Sequence, residues 1–431
     1  MTNVSPTTRR TPSTMPTDGA AIAPGRRWRI LSIGLLGFAS GLPLALTNPT
    51  LQAWFTTAGL SLRDIGWITL TGTAYVFKFL WAPLLDRFQL PWLGRRRGWI
   101  ALMQAICGCA LIAMSFHTPQ KAAAMLVLLA VLVAFSSATQ DIAYDAHRTD
   151  LLRPEERGWG IAFMQGGYRA AMLVSGALAL ILADHLGWAW VYRLMGALML
   201  AAILVTATSP EAPDEQPTRS FAEAVVQPFM DFFQRYGVLA LAWLALMVLY
   251  KLCDAFALSL STTFLLRVPQ FSLTQLGAIN KTFGLAAGLC GALAGGWVVT
   301  RMRLFPALLL LGVLQALVNL GYIWLVHSGP DLLALAVVVG AENFFSGLGS
   351  TAFVVLVTAL CNVRYSATQY ALLSSLAAVG RVFLGPLAAW LVPQVGWSNF
   401  FAITALSALP GLLLICALRR AIGRAELVRP H

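Results

Sequence analysis

The feature that most constrains this chain is a succession of twelve long apolar runs separated by short polar connections. An α-helix needs about 20 mainly apolar residues to cross a bilayer. The predicted spans are 30–57, 63–87, 98–116, 122–148, 157–183, 188–208, 236–265, 272–298, 304–327, 332–360, 366–392 and 396–418. Because lipid accepts only helices or closed barrels, and runs such as 307–318 do not alternate every second residue, we predict an all-α membrane protein.

The composition excludes several classes of protein. Apolar residues make up 58% of the chain, charged residues 11%, and the mean hydropathy is +0.72. A soluble domain carries about 25% charged residues, so a cytosolic enzyme and a disordered chain are both excluded. The net charge of +12 therefore needs a membrane explanation before a nucleic-acid one. The histidines and cysteines show no metal-ligand spacing, and no phosphate-binding loop is present, so neither a metal site nor another cofactor is expected.

Basic residues in the connections predict the orientation of the chain. Twenty-one of the 30 Lys and Arg residues fall on the side that holds both termini, and four fall on the other side. By the positive-inside rule both termini are cytoplasmic. We predict a disordered cytoplasmic tail over residues 1–27, which contains no secretory signal.

An internal repeat divides the chain into two halves. The segment 60–66 at the start of span 2 resembles 271–277 at the start of span 8, and Arg169 of span 5 corresponds to Arg381 of span 11 at nearly the same offset. We predict an N-terminal six-helix bundle (28–208), a cytoplasmic linker (209–235), a C-terminal six-helix bundle (236–420) and a cytoplasmic tail (421–431). Two six-helix halves in parallel duplication are typical of the major facilitator fold.

Charged residues within the spans indicate a polar cavity, since each costs about 2.5–3.5 kcal/mol at the centre of a membrane helix. They fall on spans 2, 4, 5, 7, 8, 10 and 11, and spans 3, 6, 9 and 12 have none near their middles. Three cations, Arg169, Lys251 and Arg381, lie near the midplane and favour an anionic ligand. The predicted substrate-binding residues are Asn48, Gln52, Gln140, Tyr144, Arg169, Tyr250, Lys251, Asn280, Lys281, Asn343 and Arg381.

Structural roles remain open for several of these residues. Lys251 and Asp254 could neutralise each other at i and i+3, and Arg169 and Arg381 could make interhelical hydrogen bonds. A coupling proton needs a carboxylate whose pKa the protein can shift. The candidates for proton coupling are Asp141, Asp254, Glu342 and Asp145. The candidates for gating at the cytoplasmic end are Asp86, Arg87, Arg95 and Arg148.

Several tracts resemble a known transporter family. The likeness runs from about residue 30 to residue 420 and is carried by tracts around the intramembrane charges. These tracts are 37–47, 51–54, 74–81, 136–142, 249–254, 280–284, 341–343 and 366–373. They resemble the AmpG muropeptide permeases. The segment 82–97 also resembles the facilitator loop pattern, with Ala82 in place of its first glycine.

The resemblance implies a proton-coupled importer of anhydro-muropeptides in the inner membrane of Gram-negative bacteria. Such importers work by alternating access, serve peptidoglycan recycling and influence induction of β-lactamase. The resemblance implies an anionic muropeptide substrate and a lipid environment, and we expect a monomer. Some members carry two further C-terminal membrane segments, which a shared function would not need. Two alternatives stay open. One is a facilitator for another anionic solute, such as an acyl-CoA or a peptide, and the other is a membrane enzyme acting on lipid-linked saccharides.

Overall fold

The apolar runs form membrane-length helices, which we number 1 to 12 in chain order. The computed structural model describes residues 24–88, 90, 92–153, 156–210, 226–362 and 366–427. Most of the predicted tail (1–27) and linker (209–235) and the end of the predicted tail 421–431 lie outside these ranges. Within them, ten helical stretches are long and apolar enough to span a membrane. The last stretch contains two helices, and the interrupted helix 2 is the twelfth.

The six helices of the N-half are linked by short connections. Their bounds are, for helix 1, Pro24–Leu46 and Pro49–Thr57; for helix 2, Leu62–Ile68, Thr69–Gly72, Thr73–Phe77, Lys78–Leu80 and Ala82–Arg87; for helix 3, Arg95–Met114; for helix 4, Pro119–Leu151; for helix 5, Arg157–Met172, Leu173–Leu178 and Ala179–Leu186; and for helix 6, Trp188–Thr208. Helix 1 begins at Pro24. Residues 24–27, which were predicted to belong to the disordered tail of 1–27, are therefore helical.

The C-half repeats this arrangement. Its bounds are, for helix 7, Leu239–Tyr250, Leu252–Leu258 and Ser261–Arg267; for helix 8, Leu273–Gln275, Leu276–Phe283 and Gly284–Arg301; for helix 9, Leu304–Asn319 and Gly321–Ser328; for helix 10, Leu332–Leu360; for helix 11, 366–395; and for helix 12, 397–406 and Leu409–Ala417. Gly396 separates helices 11 and 12 with a φ of +75°, a conformation that favours glycine. Two further helices do not span: the linker helix Gln227–Tyr236 and the C-terminal helix Arg419–Leu427.

Glycines let neighbouring helices approach closely, as is common in membranes. A Cβ on Gly167 of helix 5 would lie 2.0 Å from the carbonyl oxygen of Gly34 in helix 1. A Cβ on Gly291 of helix 8 would lie 1.9 Å from the carbonyl oxygen of Phe344 in helix 10. These close contacts pack helix 5 against helix 1 in the N-half and helix 8 against helix 10 in the C-half.

The hydrophobic cores show how the halves meet. One cluster runs through both halves at the end away from the termini and includes Phe55 and Leu180 of the N-half and Phe264 and Phe401 of the C-half. At the end that holds the termini, each half has a separate cluster. The described structure is therefore joined at one end, which we call the joined end. The other we call the terminal end, where the two halves have separate cores.

Candidate functional site

The first helix of each half is broken near its centre. Helix 1 breaks at Thr47–Asn48, because Pro49 has no N–H to continue the hydrogen-bond ladder. Helix 7 breaks at Lys251 and again at Leu260. The breaks at Asn48 and Leu260 fall at corresponding positions of the sequence repeat. They leave backbone carbonyls for side chains to bind.

Gln52 joins the two breaks. Its Nε2 donates to Oδ1 of Asn48 over 3.0 Å and to the backbone oxygen of Ser259 over 3.1 Å. Gln52 is buried, and its amide N–H groups are used within the protein in this conformation. Both Asn48 and Gln52, predicted to bind substrate, thus lie together where helices 1 and 7 meet. A role in substrate binding stays a prediction.

The same two helices run side by side toward the joined end. One turn beyond Gln52, the hydroxyl groups of Thr56 and Thr263 are 3.0 Å apart. One turn further, the guanidinium of Arg267 donates to the backbone oxygen of Leu60. All three contacts have the same separation in sequence. Helices 1 and 7 are therefore parallel and in register, and we call this set of contacts the helix 1–7 seam.

Two further pairs of helices hold the halves together. The Thr69 hydroxyl of helix 2 donates to the backbone oxygen of Val382 in helix 11 over 2.9 Å. At the start of helix 8, the backbone N–H and hydroxyl of Thr274 both donate to Asp184 of helix 5, over 3.1 and 2.6 Å. Among the described residues, every side-chain hydrogen bond between the halves lies between the level of Val382 and the joined end.

Arg169 and Arg381 occupy corresponding places in the two halves. Both side chains are exposed, on helices 5 and 11. Neither makes a hydrogen bond or ion pair with the described residues. Arg381 lies within electrostatic range of Tyr168 in the N-half and of Lys251 in its own half. Arg381 therefore lies where the halves face each other, with its guanidinium available to an anion.

Lys251 has partners inside the C-half. Its Nζ donates to the Ser350 hydroxyl over 2.7 Å and lies 3.8 Å from the Asp254 carboxylate. Asp254 also accepts from Ser346 of helix 10 and Gln315 of helix 9, over 3.0 and 3.1 Å. The two charges thus neutralise each other in this conformation, the alternative that the sequence left open. Substrate binding by Lys251 stays a prediction, and it would require this ion pair to separate.

A small cavity of about 20 Å³ adjoins this pair. Tyr250 also lines it, with Gly312 of helix 9 and Gly411 of helix 12. The Tyr250 ring stacks on Phe353 at 5.4 Å, and its hydroxyl donates to the backbone of helix 9. Tyr250 therefore turns into the C-half bundle.

The remaining C-half candidates lie on helices 8 and 10. Glu342 is buried and accepts from Nδ2 of Asn343 over 2.8 Å, and Asn343 also touches helix 8 at Gly284. Asn280 is half-buried in the π-helical turn of helix 8. The side chain of Lys281 lies outside the described part of the structure.

The N-half holds its carboxylate at the junction of three helices. Asp141 of helix 4 accepts from the Ser40 hydroxyl of helix 1 over 2.5 Å and lies 3.8 Å from Nζ of Lys78 in helix 2. Two predicted substrate ligands on helix 4 are buried. The Tyr144 hydroxyl donates to the backbone oxygen of Ile33 over 2.6 Å, and Gln140 is fully buried. The structure does not bring these two side chains to the cavity in this conformation.

The gating candidates lie at the terminal end. Arg148 donates to Asp145 on the same helix over 3.2 Å, and Asp145 is exposed. This is a local pair within the N-half. The side chains of three candidates lie outside the described residues, and their roles stay predictions: Asp86, Arg87 and Arg95.

A different ion pair stabilises the terminal end of the N-half. Arg29 of helix 1 donates two hydrogen bonds to Glu156, over 2.9 and 2.7 Å. The Arg29 guanidinium holds the pKa of the buried Glu156 carboxyl below its ordinary value. The sequence did not predict this pair. Arg29 was counted only among the basic residues that set the orientation, and Glu156 falls in a connection between two spans.

Sequence reasoning also missed inward-facing polar residues on the outer helices. Gln315 of helix 9 binds Asp254, and Asn319 donates to the sulfur of Cys253. In the N-half, Gln104 of helix 3 accepts from Thr206 of helix 6. Sequence reasoning considered only charged residues in these helices and overlooked their uncharged polar residues, which are the available signal.

Comparison with known proteins agrees with this architecture. The sequence profile described as Major Facilitator Superfamily matches residues 33–341. The "Anhydromuropeptide permease" of Escherichia coli (strain K12) is 49% identical over 392 residues, which cover 90% of this chain and 79% of the relative. The "Putative transporter AmpG 4" of Rickettsia conorii is 33% identical over 92% of this chain and 98% of its own.

Solved structures share the fold at low identity. A bacterial homolog to the human lysosomal transporter Spinster, in an inward-facing and unoccupied conformation, superposes with a TM-score of 0.67 at 18% identity, covering 94% of this chain and 98% of that one. The peptide transporter POT in complex with sulfate gives a TM-score of 0.68 at 14% identity, covering 92% and 95%.

Proposed function

This chain belongs to the major facilitator superfamily and, within it, to the AmpG permeases, and from that premise we propose that it imports anhydro-muropeptides by proton-coupled alternating access. It is a multi-pass membrane transporter and not an enzyme. The proposed substrates are GlcNAc-anhydro-MurNAc and its peptides, taken up across the inner membrane for peptidoglycan recycling. The proposed orientation places both termini in the cytoplasm.

The observation that carries the substrate proposal is the 49% identity to a protein named for anhydromuropeptides, over 90% of this chain. The electrostatics of the cavity suit such a ligand. Arg169 and Arg381 are exposed cations on facing halves with no protein partner among the described residues. A guanidinium binds a carboxylate through two parallel hydrogen bonds, so the peptide carboxylates of a muropeptide provide matching partners.

The division of the cores supports alternating access. The halves share one core at the joined end and have separate cores at the terminal end. With cytoplasmic termini, the end at which the halves have separate cores lies on the cytoplasmic side. Import then requires the helix 1–7 seam to open toward the periplasm and the terminal ends of the halves to approach each other.

Proton coupling supplies the driving force in this proposal. One charge moving across 100 mV yields about 2.3 kcal/mol. The carboxylates available within the spans are Asp141, Asp254 and Glu342, with Asp145 nearer the terminal end. Each described partner of these groups is a hydroxyl, an amide or a cation, and protonation of the carboxylate would weaken a pairing with a cation.

The test is uptake of labelled GlcNAc-anhydro-MurNAc-tripeptide into proteoliposomes, with and without an inward proton gradient. Arg169→Ala and Arg381→Ala should each lose uptake while Arg63→Ala, an exposed arginine at the joined end, retains it. Normal uptake by both cavity variants would overturn the site assignment. Failure of the unmutated protein to take up the muropeptide, with uptake of another anion instead, would overturn the substrate assignment.

A further inference from the structure

An unusual group of buried polar atoms belongs to side chains of helices 2 and 4. The hydroxyls of Tyr75, Ser136 and Ser137 and both polar atoms of the Gln140 amide are buried, and none meets hydrogen-bond geometry with a described residue, although the Tyr75 and Ser137 hydroxyls are close enough to interact with each other. Ser136, Ser137 and Gln140 are themselves almost completely buried. No described hydrogen bond, ion pair or packing role accounts for the polar character of these five atoms.

Such atoms are costly unless something binds them. Each buried polar group without a partner costs about 1–3 kcal/mol. Ser and Thr in helices commonly donate to the backbone four residues earlier, as Thr139 on the same helix does to Phe135 over 2.7 Å. Ser136 and Ser137 do not. Internal water molecules, which make about three hydrogen bonds each, satisfy groups of this kind in folded proteins.

The group adjoins the charged pair of the N-half. Ser137 lies one helical turn before Asp141 on the same face of helix 4, and Tyr75 lies one turn before Lys78 on helix 2. The Tyr75 hydroxyl faces Ser137 and is within electrostatic range of the Asp141 carboxylate. The Tyr75 and Ser137 hydroxyls therefore lie about one helical turn from the Lys78–Asp141 pair.

We propose that helices 2 and 4 hold a cluster of bound water molecules against Tyr75, Ser137 and Gln140, and that this hydrated site carries the coupling proton to and from Asp141. The proposal rests on the proposed proton-coupled transport and assigns a relay to it. A proton passes from a hydronium ion to a carboxylate oxygen of Asp141, which becomes neutral and releases Lys78. The reverse transfer returns the proton to a neighbouring water molecule.

Other charged and titratable groups around Asp141 set the conditions for this transfer. Nζ of Lys78 lies 3.8 Å from the Asp141 carboxylate, and Asp145 lies about one helical turn further along helix 4. The groups that face Asp141 from helices 2, 3, 4 and 5 are Lys78, Tyr75, Cys107, Tyr144, Asp145 and Tyr168. Of these, only Lys78 is a cation, so loss of its pairing is the structural consequence of protonation.

A matched pair of Tyr→Phe variants tests the proposal. Tyr75→Phe removes a hydroxyl whose described neighbour is the Ser137 hydroxyl. Tyr192→Phe, in the same half, removes a buried hydroxyl that donates to the backbone oxygen of Leu46 over 3.0 Å. Three quantities are measured in proteoliposomes or detergent: proton-driven accumulation of labelled anhydro-muropeptide, its exchange across the membrane without a proton gradient, and the unfolding temperature.

Tyr75→Phe should lower the ratio of accumulation to exchange by at least about tenfold, which is a lower bound for the loss of a positioned proton-transfer group. The unfolding temperature of this variant should not fall. Tyr192→Phe should lower the unfolding temperature and leave the ratio of accumulation to exchange unchanged. Ser137→Ala should behave like Tyr75→Phe.

Two outcomes would overturn the relay. One is an unchanged ratio in both Tyr75→Phe and Ser137→Ala. The other is a fall in unfolding temperature that accompanies equal losses of accumulation and exchange, since the hydroxyls would then be structural. If the unmutated protein exchanges muropeptide but shows no response to a proton gradient, proton coupling itself fails, and this result is distinct from failure of the relay.

Discussion

At the scale of single residues, the sequence located the intramembrane charges but not the direction of their side chains. Arg169, Lys251 and Arg381 all fall near the midplane by counting residues. The structure exposes the two arginines and pairs Lys251 with Asp254 inside the C-half. Counting along a helix gives depth, whereas the direction of the Lys251 side chain depends on the break in helix 7, which composition does not reveal.

Removing one partner of the Lys251–Asp254 pair should lower the stability of the protein more than removing both partners. Breaking a buried ion pair leaves an uncompensated charge and costs about 3–5 kcal/mol, whereas replacing the pair with apolar residues is often neutral. We expect Lys251→Met to destabilise the protein by about this amount and the double variant Lys251→Met, Asp254→Leu to recover most of the loss. The measurement is equilibrium unfolding in detergent. Equal destabilisation in the single and double variants would show that the pairing is unimportant.

The Arg29–Glu156 pair should make stability depend on pH. Its pairing holds the folded pKa of Glu156 below the ordinary value of 4.5, so its contribution is fully present above that value and is lost as the pH falls through the folded pKa. Glu156→Gln should remove about 1–3 kcal/mol at pH 7. Unfolding followed from pH 7 to pH 3 measures this. A wild type and a variant that lose stability in parallel on acidification would contradict the assignment.

At the scale of elements, the boundaries were predictable and the interruptions were not. Apolar runs predicted all twelve spans, and the gap of residues 393–395 between the predicted spans 366–392 and 396–418 comes directly before the break at Gly396. Pro49 signalled the break in helix 1, but no proline or glycine marks the breaks of helix 7 at Lys251 and Leu260. The break at Leu260 adjoins Ser259, which accepts from Gln52 of helix 1 in the other half, whereas the partners of Lys251 lie within its own half.

The linker helix was also missed, although its pattern is amphipathic. Asp231 fixes it to the C-half by accepting from Asn362 and Gln369, over 3.0 and 2.9 Å. Burial alone raises the pKa of Asp231, but these hydrogen bonds and the charge of Arg235 outweigh it and leave the pKa below its ordinary value. A prediction based on proline and acidic residues treated the whole segment as a connection.

The helix 1–7 seam can be tested by cross-linking. In a background without the six native cysteines, Thr56→Cys with Thr263→Cys should form a disulfide on oxidation, because the native hydroxyls are 3.0 Å apart. The cross-link should hold the joined end closed and abolish uptake, and a reductant should restore it. The control pair is Thr57→Cys with Thr263→Cys, since Thr57 turns toward Trp188. Full uptake by the cross-linked protein would contradict a seam that opens during transport.

At the scale of the whole molecule, the duplication could be inferred from the sequence and the conformation could not, while the cytoplasmic orientation of the termini stays a prediction. The internal repeat predicted two equivalent halves, and the breaks at Asn48 and Leu260 show the same correspondence in three dimensions. Nothing in a repeat specifies which end of the molecule is closed. In the proposed alternating-access cycle, the sequence must encode contacts for closing either end, and one conformation satisfies only one of these two sets.

The core shared across the joined end has a consequence for the populations of the two conformations. If transport alternates between them, their ratio depends on the difference in free energy between this shared core and whatever core forms at the terminal end. A change of about 1.4 kcal/mol alters that ratio tenfold. Side chains of this core, such as Phe264 and Phe401, would then stabilise one conformation relative to the other, although they are far from the arginines. They would thereby help to set the fraction of molecules that are ready to receive substrate.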